Sequence, residues 1–217
     1  MNKSNKSIDT KALVGIAMFA ALAYGVTFVF RIPVMFLTFD AKDTLITIAS
    51  LIYGPVSGIV ISLLVALIEL ITISGTGVYG FIMNFASSAA FSATAALIYK
   101  YKRNASGAII SFYSASIVMV TVMMLLNMFV TPYYMGVTTK TVIELIPTLF
   151  LPFNLAKAFL NSALAMMLYK PVTVAMRRAG LLKGQAKMQI NRSSVAIYIT
   201  AFITLAVAVT IFIILKN

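Results

Sequence analysis

One lysine and a row of carboxamides, set within apolar sequence, are the side chains that could do chemistry here. In Leu151-Pro152-Phe153-Asn154-Leu155-Ala156-Lys157, Asn154 and Lys157 stand three residues apart, so a helix carries both on one face. Asn161 falls on nearly the same face. Pro152 has no backbone N–H to donate, an omission that costs little where a helix begins. Asn127 and Asn84 lie at comparable positions in two other apolar runs, and Glu69 is the clear acid inside a run. A charge at the middle of a membrane span costs about 2.5–3.5 kcal/mol on insertion scales, so each needs a partner or a purpose. One account has Glu69 and Lys157 pairing with each other or reaching the interface, while the asparagines bond between helices at about 0.6 kcal/mol each. A lysine grouped with several carboxamides suits a pocket for a planar polar molecule better, because a carboxamide offers donor and acceptor together.

The elements that position these groups are membrane helices. The chain is 61% hydrophobic and only 10% charged, against about 45–50% apolar residues in a soluble domain, so lipid is its solvent. No stretch is long and polar enough to form a separate soluble domain. Apolar runs predict spans over about 12–30, 44–53 (short), 78–99, 109–130 and 151–169, the last with an alternative earlier start near Ile143, and a span ending near Ile71 after the Gly54-Pro55 turn. A further run over 195–215 is long enough for a seventh span. The expected fold is therefore all-α and polytopic: a bundle over 1–182, a basic linker over 183–194, and an added C-terminal transmembrane helix. That last helix carries no internal charge, and a peripheral place with no functional contact fits it equally well. The basic N-terminus leads into an apolar run without a small-residue cleavage site, which predicts a retained helix and no removable signal peptide.

The net charge of +12 would suit nucleic acid, but its distribution points elsewhere. Lys3, Lys6 and Lys11 precede the first span, Lys100, Lys102 and Arg103 follow the fourth, and Lys170, Arg177, Arg178, Lys183, Lys187 and Arg192 follow the sixth. These 12 face only four on the other side, Arg31, Lys42, Lys140 and Lys216, so the N-terminus is expected in the cytoplasm.

The chain has no cysteine and no histidine, hence no disulfide framework, thiolate metal site or imidazole base. A membrane-integral enzyme would need paired carboxylates or a metal cluster facing one cavity. No glycine-rich loop leads into a lysine followed by serine or threonine, so the sequence carries no sign of an ATPase, and energy for transport is expected from a gradient or another subunit. An autonomous carrier would favour inverted repeats, and none is evident. Ala17, Ala21 and Gly25 form a smooth strip at four-residue steps, suited either to internal packing or to another protein's helix.

Over about residues 11–182 the chain resembles the substrate-binding S components of energy-coupling factor (ECF) transporters, particularly the riboflavin type. The resemblance rests on Phe150-Leu151-Pro152-Phe153-Asn154-Leu155-Ala156-Lys157 and on Leu126-Asn127 with Thr131-Pro132. Ile52-Tyr53-Gly54-Pro55 with Gly58, Gly75-Thr76-Gly77, Asn84-Phe85 and Ala96-Leu97-Ile98-Tyr99-Lys100 support it. It implies that Asn127, Asn154 and Lys157 contact a flavin ring, that Ala17 and Ala21 pack against a transmembrane coupling protein, and that two ATPase subunits supply energy. Asn84, Asp40 and Asp43 complete the candidate ligand-binding set. The loop before the second span keeps both aspartates of the family pattern but not its first lysine, phenylalanine and proline, and Val65-Ala66 stands where Lys-Asn is frequent. Another vitamin or a flavin relative is the alternative ligand. The segment 31–43 is expected to act as a lid.

Overall fold

The computed structural model describes residues 10–35, 37–185 and 192–216. Lys3, Lys6, Lys187 and the middle of the basic linker lie outside them. Helix α1 (Thr10–Val29) leads to a two-stranded hairpin, β1 (Arg31–Val34) and β2 (Leu37–Asp40), paired antiparallel with Arg31 opposite Asp40. Helices α2 (Lys42–Tyr53), α3 (Pro55–Thr72), α4 (Gly77–Tyr101) and α5 (Ala105–Met135) follow. The short α6 (Thr139–Leu145) runs through a π-helical turn (Ile146–Phe150) into α7 (Leu151–Arg178), and α8 (Arg192–Lys216) closes the chain.

Six of these segments are long and apolar enough to cross a membrane: α1, α3, α4, α5, the continuous run Thr139–Arg178, and α8. Helix α2 is different. Its 12 residues rise only about 18 Å, short of a hydrocarbon core. Protein surrounds it, so its first turns, from Lys42 to Thr44 and from Ile46 to Ser50, are buried whether polar or apolar. A helix enclosed by other helices can carry hydroxyls and charges that a lipid-facing helix could not.

Two glycines permit that enclosure. A Cβ on Gly58 of α3 would fall 2.5 Å from Ser50 Oγ and 2.8 Å from Ser92 Oγ, so α2, α3 and α4 meet there only because the side chain is missing. Gly15 of α1 leaves the same kind of room for the Tyr53 ring at the far end of α2. The main core gathers Phe19, Ile46, Ile61, Phe91, Phe112 and Met119 around α2. Lys11 donates to the Gly180 carbonyl at 3.0 Å, tying the start of α1 to the end of α7.

Helix α8 is not detached: it packs on the outside of the bundle along one narrow seam. Ser194 and Ala201 are buried seven residues apart, and Thr204, Ala208, Ile211 and Leu215 continue at steps of three and four. This is the seam of two helices packed lengthwise, and its small residues let α8 lie close against α7. Lys170 of α7 donates to Ser194 at the basic end, and Tyr113 of α5 shares a 2.7 Å hydrogen bond with Thr204 midway. The other end of α8 reaches the hairpin.

Candidate functional site

At the hairpin end the bundle opens into a cavity of about 350 Å³, within the range of small-molecule sites. Asn127 reaches it from α5, Asn154 and Lys157 from α7, Asn84 from α4, Glu69 from α3 and Asp40 from β2. Residues expected together from spacing therefore do converge. The π turn helps to present the α7 groups: the Leu151 N–H bonds the Ile146 carbonyl five residues back, and Pro147 and Pro152 supply no donors of their own. Asn154 Nδ2 then donates to the Phe150 carbonyl at 2.8 Å. Asn127 is held likewise, donating to the Met123 carbonyl at 2.7 Å and accepting from Thr131 Oγ1 at 2.8 Å.

The charges pair differently from the expectation that Glu69 and Lys157 meet. Lys157 Nζ lies 3.0 Å from Asp40 Oδ2 and 3.8 Å from Asp43 Oδ2. Glu69 takes Lys42, whose Nζ is 2.7 Å from Oε1 and 2.6 Å from Oε2, and Asn84 Nδ2 adds a 3.1 Å bond to Oε2. Lys42, counted only as a charge on the outer side of the membrane, is 2% exposed and lines the cavity. The reason is the shortness of α2, which draws its first residue into the bundle. Every ion pair among the described residues falls in this cluster.

Asp43 does not line the cavity; it lies behind Lys157 and accepts from Ser88. Asn161 likewise turns away, accepting from the Thr44 N–H at 2.9 Å and donating to the Asp40 carbonyl at 3.1 Å. It thereby fixes the junction of β2 and α2 against α7. Asp40 belongs to the hairpin and not to a spanning helix. Burial alone would raise its carboxyl, but Lys157 and Lys42 beside it prevail and hold it below the ordinary carboxylate range. Its Oδ1 has no hydrogen-bond partner among the described residues, and neither has Ser87 Oγ on the cavity wall.

The arrangement can recognise a neutral ligand with both donors and acceptors. Asn127 retains one N–H and one lone pair, Asn154 one N–H and its carbonyl oxygen, and Asp40 an oxygen seeking a donor. Three carboxylates face two ammonium groups in the cluster, so an added donor is welcome and an added anion is not. Tyr79 and Tyr134, whose rings are 6.4 Å apart, and Phe153 supply aromatic wall. Sequence reasoning passes over Lys42, Tyr79 and Tyr134 as site residues. For Lys42 the available signal is a charge opening an apolar run too short to span. Ala17, Ala21 and Gly25 all face outward on α1, and the internal contacts are made by Gly15, Phe19, Ala20 and Ala23.

The model of the family described as "ECF transporter, substrate-specific component" matches residues 11–169. The riboflavin transporter RibU of Staphylococcus aureus (strain TCH60) is 33% identical over 179 residues, covering 78% of this chain and 94% of that protein. Among solved structures, the S component of a bacterial ECF transporter is similar with a TM-score of 0.67 and 32% identity, over 78% of this chain and 99% of that one.

Proposed function

Because the chain belongs to the substrate-specific components of ECF transporters, multi-pass membrane proteins, we propose that it is the riboflavin-binding subunit of a vitamin importer. The observation that carries this reading is the convergence of Asn127, Asn154 and Lys157 on one cavity. The edge of a flavin ring alternates carbonyl oxygens with an N–H, the complement of two carboxamides and an ammonium group. Asn127 and Asn154 pair with that edge, Lys157 donates to a ring carbonyl while keeping Asp40, and Asp40 Oδ1 accepts from a ligand N–H or hydroxyl. Asn84, braced on Glu69, completes the wall, and Asp43 acts from behind by fixing Lys157.

The basic end, where α4 meets α5 and α7 ends, lies in the cytoplasm with the N-terminus, and the cavity faces out. A coupling protein and two ATPases work with this subunit. The outward strip of Ala17 and Ala21, exposed among the described residues, supports the coupling contact, because small residues let a second helix approach closely.

Protein purified in detergent from riboflavin-grown cells should be yellow, and ligand-stripped protein should quench flavin fluorescence saturably. Asn154→Ala should weaken that binding about 5- to 150-fold, the cost of about 1–3 kcal/mol for one buried hydrogen-bonding partner. Colourless protein without quenching would sink the riboflavin assignment and direct the same titration to other vitamins.

A further inference from the structure

Helix α8 lies wholly beyond the residues that the family model matches, yet it reaches the binding site. At the hairpin end a second apolar cluster forms from Val34, Phe39, Phe153 and Ala156, and α8 adds Ile211, Phe212 and Leu215 to it. The Phe39 ring stands between two others, 6.0 Å from Phe153 and 5.2 Å from Phe212. Thr38 and Asp40 line the cavity and Phe39 between them does not, so the residue gripped by α8 is flanked by residues that line the site.

A two-stranded hairpin is marginal by itself and depends on the apolar surface behind it. Here α8 provides part of that surface, and α8 is itself fixed by its seam on α7 and by the Lys170–Ser194 and Tyr113–Thr204 bonds. We propose that α8 is a brace that holds the β1–β2 hairpin over the cavity and so sets how long the ligand stays bound, with Phe212 as the positioning residue. The proposal rests on the riboflavin reading for its ligand. The chain of contact runs from Phe212 to Phe39, and from the adjoining Asp40 to Lys157.

The test uses the full chain in detergent, with two readouts. Hydrogen–deuterium exchange of the hairpin amides, followed without ligand, should quicken on the order of tenfold in Phe212→Ala, the scale of losing an aromatic pair. Riboflavin release in stopped flow should quicken by a similar factor, with the absorbance of the bound flavin unchanged. Phe202→Ala, at a position of α8 that is 60% exposed, should alter neither rate. Should Phe212→Ala fail to fold, Phe212→Leu keeps the bulk and removes the ring, and should still quicken both. Wild-type exchange and release in a folded Phe212 variant would overturn the brace. If the wild-type chain binds no riboflavin, the binding reading fails and the exchange arm alone decides the brace.

Discussion

Lys157→Met should lower stability by about 3–5 kcal/mol and abolish measurable flavin binding, because it strands two carboxylates in the interior. Lys157 is 4% exposed, with Asp40 at 3.0 Å and Asp43 at 3.8 Å, and the nearest alternative cation for Asp40, Lys42, stands 3.9 Å away and is already committed to Glu69. Thermal unfolding in detergent should register a fall on the order of 10 °C. The paired change Asp40→Asn with Lys157→Met separates the two roles of the lysine. Removing one of the two stranded charges should recover part of the lost stability, while binding stays absent because the ammonium donor and the Asp40 acceptor are both gone. If the double variant binds riboflavin with wild-type affinity, Lys157 is structural and the ligand contact assigned to it is wrong.

The stripe Asn154–Lys157–Asn161 shows how far spacing alone reaches into this site. Helical periodicity puts the three on one face, and the structure agrees, but only the first two line the cavity. Asn161 spends its carboxamide on Thr44 and on the Asp40 carbonyl, because the junction between hairpin and α2 has backbone groups that helix geometry leaves open. That junction comes from distant sequence, so no local pattern announces it. Long apolar runs are legible, as is the short apolar body of α2 over 44–53, but the charged first turn of α2 is not. A span facing lipid must be apolar throughout, whereas a helix enclosed by protein obeys no such rule and admits Lys42 and Asp43 in its first turn. Helix α8 falls between these cases. Its steps of three and four small or apolar residues are visible in the sequence, but which helix they face, and that Phe212 meets Phe39, depends on tertiary packing.

The Lys42–Glu69 pair should be nearly as costly to break, though for a different reason. It joins the first turn of α2 to the end of α3, and through Asn84 to α4, so three helices meet on one carboxylate. Lys42→Met leaves Glu69 6% exposed with one carboxamide bond, and should cost about 3–5 kcal/mol by thermal or denaturant unfolding. Glu69→Leu alone should cost less, because Lys42 can move toward Asp40, 3.9 Å away, where Oδ1 has no hydrogen-bond partner among the described residues. That same movement occupies the acceptor assigned to the ligand. Glu69→Leu should therefore weaken riboflavin by more than its stability loss would suggest, on the order of tenfold for one blocked hydrogen bond. Equal stability costs for the two variants would show that Asp40 cannot accept Lys42. Unchanged affinity in Glu69→Leu would show that the free oxygen of Asp40 plays no part in holding the ligand.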